Sequence, residues 1–439
     1  MKEKLQTLDS PTRRQFVEGI AKSAFGVSLL PLTDSLLAQN SPAIAKPAKN
    51  IIYMFMSGGM THMDTFDPKP GTENGGKTNG IKTGVPGVEL GEFLPNLAKN
   101  FKDIAVIRSM QQLTADHRGA SYWMRTGYNR RATIVHPCLG AWAQRLLGKS
   151  HEILPSSVVV GGGGLHPGGG FLGPEYSPLP IGDPMGGLPN SSYAEGVDEK
   201  LFDTRLDMMN AFNKSFDRKF QNAEVKAYNQ FYDNALSLMS SEELDVFDLN
   251  QESEEKRSSY GNNRFGQGLL LAKRLIKNGI RFVEVVKGGW DMHNDLWNAI
   301  PERAGELDQA IAALIEDLKA EGLFEETLLV LTTEFGRSPR INANAGRDHH
   351  SACFSAMLAG GPIVGGQVYG ASDKEGHAPA EDVCPQVDFN ATIAKACGLP
   401  LDEVVHSPSG RPFLIAGHSR DIATDAIVPK GAPIDQLFS

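Results

Sequence analysis

Ile51-Ile52-Tyr53-Met54-Phe55-Met56, then Ser57-Gly58-Gly59, then Thr61-His62-Met63-Asp64-Thr65-Phe66-Asp67-Pro68: an apolar run stops at paired glycines and continues into an imidazole and two carboxylates. Six apolar residues without alternation fit a strand covered on both faces, as in a parallel sheet. The glycines let the backbone turn through angles closed to other residues. In an open α/β sheet, ligands sit outside the carboxyl ends of the strands, so this loop reads as a site. The pattern recurs twice. Arg281-Phe282-Val283-Glu284-Val285-Val286 leads into Gly288-Gly289-Trp290-Asp291-Met292-His293, and Leu328-Leu329-Val330-Leu331-Thr332-Thr333 leads into Glu334-Phe335-Gly336-Arg337.

Between these strands the pattern turns helical. Leu94, Leu97 and Phe101 share a helical face, and Ile104 to Ile107 reads as a short strand, giving one βαβ unit. The Thr114 to Gly127 stretch reads as a loop entering a helix, and Pro137 is expected to open another, through about Leu147. Val158 to Val160 is a strand. A helix through Leu269 and Ile276 is expected to stop at Gly279. Pro301 is expected to start the helix whose Leu307, Ile311, Leu314, Ile315 and Leu318 form a stripe. This alternation predicts an α/β fold, a three-layer αβα sandwich around a mainly parallel sheet.

Residues 46–439 are expected to form one domain with an insertion around 161–256. Gly161 to Gly164, Gly168 to Gly170 and the prolines at 174, 178, 180 and 184 predict a surface or lid loop. The glycines lack the GxxxxGK[ST] order of a nucleotide loop. In the polar segment that follows, Phe216, Phe220, Tyr228 and Phe231 are read as core.

The 439 residues are 41% hydrophobic and 22% charged, a globular composition. A net charge of −9 argues against nucleic acid as a partner. Residues 1–45 read as a twin-arginine signal: Arg13-Arg14 precedes a broken apolar run, and Ala43-Ile44-Ala45 suits cleavage. That implies the export machinery as a partner, a periplasmic or secreted location and no stable membrane span. Cys138, Cys353, Cys384 and Cys397 show no ligand spacing and read as buried thiols.

Asp291-x-His293 joins a hard oxygen to an imidazole, and Gly346-Arg347-Asp348-His349-His350 packs three donors together. With Glu334, His62 and Asp64 they make a candidate cage for one or two divalent ions, zinc, manganese, magnesium or calcium. One of the two adjacent histidines is expected to orient another ligand. Such an ion polarises an ester oxygen or activates a hydroxyl. Thr114 is the first candidate hydroxyl, ahead of Ser109 and Ser121. Its alternative role is to cap the helix beyond it. His117 is a candidate acid, ligand or substrate contact, and Arg118 and Arg337 are candidate clamps for an anion.

At these residues the chain resembles the bacterial family called domain of unknown function 1501. The resemblance rests on Ser57 to Pro70, Asp116-His117 to Tyr128, Gly289 to His293, Thr333 to Arg337, Gly346 to His349 and Ala359 to Gly366, and covers roughly residues 50 to 420. That family is similar to the alkaline phosphatase and sulfatase superfamily, which acts on phosphate and sulfate esters at one or two metals. The resemblance implies that Asp64 is the acid after the first strand and that Thr114 lies near the nucleophile. It also implies that Asp291, His293 and His349 or His350 are later ligands. Where the superfamily carries adjacent Asp and His, this chain has Glu334-Phe335, and no cysteine or serine stands in the formylglycine context of sulfatases. The expectation is an exported metal-dependent hydrolase of small-molecule or polysaccharide esters. The alternative is a non-catalytic, metal-stabilised binding protein for a polysaccharide or a protein.

Overall fold

Six apolar residues in a row need cover on both faces, and residues 51–56 receive it near the middle of a nine-stranded sheet. The computed structural model describes residues 44, 46–162, 166–189, 191, 193, 195–219, 236–421, 424 and 426–438. Its principal strands are β1 (Asn50–Met56), β2 (Ile104–Gln111), β3 (Ser157–Val160), β4 (Leu179–Ile181), β5 (Phe282–Lys287), β6 (Thr327–Thr332), β7 (Gly336–Ile341), β8 (Arg347–His350), β9 (Phe354–Ala359) and β10 (Gln367–Tyr369). The sheet runs β10-β2-β9-β6-β1-β5-β3-β4, with Cys384–Pro385 added beside β2. β9 alone runs antiparallel to its neighbours, β2 and β6. β7 and β8 form a separate antiparallel hairpin.

The helices that concern the site and the layers are α1 (His117–Thr126), α2 (Leu139–Leu147), α3 (Glu199–Lys219), α4 (Arg264–Lys277), α5 (Leu296–Ala320) and α6 (Gln386–Ala396). Alternate residues of β1 feed the two layers. Ile52, Met54 and Met56 pack with Leu270 of α4 and Leu307 and Leu314 of α5. Ile51, Tyr53 and Phe55 pack on the other face with Trp142 of α2 and Phe389 and Ile393 of α6. The predicted sandwich is therefore present, and Ile44–Ser439 form one compact unit.

Three local expectations are corrected. α5 begins at Leu296, so Pro301 lies inside it rather than at its start. Full burial of Leu296 and Ile300 outweighs the one hydrogen bond that Pro301 cannot donate. α2 begins at Leu139, with the Cys138 thiol as its cap and Pro137 outside. The Gly/Pro-rich stretch is more than a loop, because Leu179–Ile181 adds β4 parallel to β3. Pro180 is tolerated there because β4 is an edge strand.

All four cysteines are buried and unpaired. The expected signal falls on residues 1–43 and 45, outside the described residues, as do Phe220, Tyr228 and Phe231. Among the described residues no helix is long and apolar enough to cross a membrane.

Candidate metal centre

The three strands that end in reactive loops, β6, β1 and β5, are adjacent and parallel, so their carboxyl ends open on one edge of the sheet. Past β1 the chain turns at Gly58 with φ of 115°, where an added Cβ would lie 2.5 Å from the Asp291 backbone nitrogen. Only glycine allows the β1 and β5 loops to touch there. The Gly58 N–H donates to Glu334 Oε1 at 2.8 Å, which joins the β6 loop to the other two. His117 arrives as the first residue of α1, whose N-cap Asp116 accepts from Gly119 N at 2.7 Å. The other end of α1 is held to β5 by the buried Arg125–Glu284 pair at 2.7 Å. The β7–β8 hairpin supplies Arg337, Asp348 and His349.

Three imidazoles meet around Asp291, each with its Nδ1 turned outward to an oxygen. His117 Nδ1 lies 2.7 Å from Glu334 Oε1, His293 Nδ1 3.0 Å from Asp348 Oδ1, and His349 Nδ1 2.9 Å from the Ala115 carbonyl. Carboxylate and carbonyl oxygens only accept, so each Nδ1 carries a proton, and in the neutral ring the Nε2 then presents a lone pair. Those lone pairs point inward. His293 Nε2 and His349 Nε2 are 3.0 Å apart, and they lie 3.0 and 3.2 Å from Asp291 Oδ1. His117 Nε2 is buried without a hydrogen-bond partner, 3.5 Å from Asp291 Oδ2.

This donor set fits a metal. Ligands on a tetrahedral ion with bonds near 2.1 Å stand about 3.4 Å apart, and the spacings above scatter around that value. The ligand atoms of His117, Asp291 and His349 lie within 4.8 Å of one another. Two lone-pair nitrogens at 3.0 Å repel unless a proton or another cation sits by them. The nearest cation is Arg337, whose Nη1 is 3.2 Å from His293 Nε2 and whose Nη2 contacts Asp291 Oδ1. Partial burial opposes the charge on Asp291, but the hydrogen-bonded Arg337 guanidinium prevails and holds its carboxyl down at about 2. The hydrogen bond to Glu334 raises His117, against partial burial. The hydrogen bond from His293 lowers Asp348.

The family model described as "Protein of unknown function (DUF1501)" matches residues 48–425. The chain belongs to the DUF1501 family. No curated protein matches it. Among solved structures, it is similar to the lipoteichoic acid synthase LtaP from Listeria monocytogenes, at 10% identity and a TM-score of 0.37, over 87% of this chain and 89% of that one. It is similar to alkaline phosphatase from the Antarctic bacterium TAB5, at 12% identity and a TM-score of 0.34, over 81% and 99%. It is also similar to the PsFucS1 sulfatase from Pseudoalteromonas sp., at 13% identity and a TM-score of 0.35, over 81% and 68%.

In this DUF1501 protein the candidates named from sequence divide. Asp291, His293 and His349 converge with His117. Glu334 and Asp348 stand one step out, each holding an imidazole. The structure does not bring Asp64 to the cluster. Its buried carboxylate accepts from Thr61 at 2.7 Å, from Thr78 at 2.6 Å and from the Arg347 fork at 2.8 and 3.2 Å, which uses its lone pairs. His62 is buried with Nε2 at 2.9 Å from the Gly376 carbonyl, and burial pushes its pKa down to about 4. His350 turns to the His377 carbonyl at 2.7 Å. Arg337 is fully buried, and its remaining donors go to the Gly58, Gly59 and Arg347 carbonyls, so it pins loops rather than clamping an anion. Arg118 is exposed on the first turn of α1. Thr114 is not the helix cap; its Oγ1 accepts from Asp116 N at 3.2 Å.

Two contributors went unread in the sequence. Phe335, which stands where the superfamily carries a histidine, packs 4.8 Å from the His117 ring and 4.9 Å from that of His349. Gly346 lets the hairpin reach the Asp291 turn, since a Cβ there would lie 2.1 Å from the His293 carbonyl. A glycine directly before Arg347-Asp348-His349 was the available signal.

Proposed function

We propose that this DUF1501 protein is an exported, metal-dependent hydrolase of phosphate or sulfate esters, with one divalent ion held by His117, Asp291 and His349 and with His293 beside them. The observation that carries this reading is the set of three imidazoles with protonated Nδ1 atoms anchored outward and Nε2 lone pairs gathered on one carboxylate. A histidine-rich set with one carboxylate suits zinc or manganese better than magnesium or calcium. When bound, the ion supplies Lewis acidity to an ester oxygen and lowers the pKa of a coordinated hydroxyl or water. The chain's own groups prepare for this. Glu334, Asp348 and the Ala115 carbonyl fix the tautomers and make the imidazoles better donors. Phe335 closes one side against water. Thr114, next to the carbonyl that holds His349, is the proposed nucleophile.

The test pairs elemental analysis of purified protein with turnover of aryl phosphate and aryl sulfate. One ion per chain and turnover abolished by Asp291→Asn in a still folded protein are expected. Protein without metal and without turnover refutes the proposal.

One observation favours a second reading. The Arg337 guanidinium touches both Asp291 and His293, which is how a cluster kept for structure, in a binding protein without turnover, would neutralise itself. In that case Asp291→Asn costs folding itself.

A further inference from the structure

Beyond the metal cluster, the C-terminal end of α1 borders a cleft of about 330 Å3, lined on its far side by Arg411–Phe413 and the antiparallel strands His418–Arg420 and Ile427–Pro429. By the helical rise, it begins about 9 to 15 Å from His117. Arg131, Arg411, Arg420 and Lys430 line it; among the described residues Arg131, Arg411 and Lys430 have no acidic partner, and no Asp or Glu lines the cleft. Such a patch on a chain of net charge −9 is a local device rather than general composition.

Aromatic rings back the cleft, with Trp123, His136 and Phe413 buried and Tyr128 half-buried. Lys430 Nζ stands 5.8 Å over the Trp123 ring, Tyr128 and His136 stack at 4.4 Å, and Phe413 meets both edge-on at 5.4 and 5.2 Å. Tyr122 Oη accepts from the His136 backbone N–H at 2.6 Å and lies 2.7 Å from His136 Nδ1. The His136 ring lines the cleft with its Nδ1 turned to Tyr122. Burial, then the positive charge of Arg131, depresses His136, and His418 is depressed likewise by burial, Arg420 and Arg131, which marks a positive field.

The volume lies at the small end of ligand sites, about 300 to 1,000 Å3, enough for one substituted ring and too little for a polymer strand. Forked guanidinium groups recognise tetrahedral oxyanions, and the half-buried Tyr128 and Ile134 offer apolar surface to a ring. We propose that this cleft binds a sugar sulfate or sugar phosphate at a site separate from the metal cluster. Occupancy does not depend on what the metal cluster catalyses.

Calorimetric titration of the full chain in EDTA, with galactose 6-sulfate, glucose 6-phosphate, the parent sugars, inorganic sulfate and phosphate, and AMP, tests this. One or both sugar esters should bind, with neutral sugars and free oxyanions each at least about tenfold weaker. The ratio of the two esters tells sulfate from phosphate. Arg131→Ala, Arg411→Ala and Lys430→Ala, all at exposed positions, should each weaken ester binding about tenfold. Several results overturn the proposal: no heat from either ester, equal affinity for neutral sugar, or unchanged binding in the triple variant. AMP as the tightest ligand overturns it in favour of a site that reads a base. Loss of ester binding in Asp291→Asn, with the three cations intact, overturns it by moving the ligand to the metal cluster.

Discussion

Glu334 and Asp64 both follow apolar strands and both are buried, yet they do different work. Glu334 holds the proton of His117 on Nδ1, so Glu334→Gln should lower metal affinity by about 10- to 100-fold while leaving unfolding little changed, as chelator competition would show. Asp64 closes a buried ion pair with Arg347, 283 positions away in sequence. Asp64→Asn should therefore cost about 3 to 5 kcal/mol by leaving that guanidinium buried and uncompensated. The readout is a lower denaturant midpoint at unchanged metal content per folded molecule. Nothing local in the sequence separates the two acids, since the difference lies in which distant cation the fold brings to each. The same holds for His349 and His350: chemically equal in sequence, they take different partners, one in the cluster and one at the His377 carbonyl.

Among elements, the strands β1, β5 and β6 were legible because largely apolar runs of about six residues leading into glycine or acid have few other readings. Their adjacency was not, because strand order is set by crossovers that leave no local trace. Nor was the antiparallel β9, nor the part α1 takes in the cluster, where His117 was read without a fixed role. The start of α5 was misread because Pro301 is a strong local signal, whereas the packing of Leu296 and Ile300 is a tertiary one. Contact between elements gives a sharper test. Gly58→Ala forces an alanine to a φ of 115° and pushes its Cβ to 2.5 Å from the Asp291 nitrogen. The strain alone is on the order of 1 to 3 kcal/mol. Because it displaces the Asp291 turn, metal binding should weaken along with stability. Calorimetry and metal titration on the same sample check both.

For the whole molecule, a bound ion stabilises the native state through linkage. Zinc at about 100 times its dissociation constant should add about 2.7 kcal/mol, and Asp291→Asn should abolish the response. Stability should also fall in acid. His136 titrates at about 4 in the folded chain, below the ordinary 6.5, because burial and then Arg131 disfavour its charge. Between those values the unfolded chain binds more protons, so stability is full above about 6.5 and is lost as the pH falls towards 4. Urea midpoints measured across that window should show this slope, and His136→Gln should lessen it, leaving the part due to His62, which burial likewise lowers to about 4.

The four enclosed sulfhydryls give the molecule a built-in clock. Burial raises the pKa of each one, so neither thiolate nor access is offered while the chain stays closed. Ellman's reagent should therefore find almost nothing to colour in the native protein and four equivalents in denaturant. The rate at which yellow develops under native conditions then reports how often the two halves of the interior come apart.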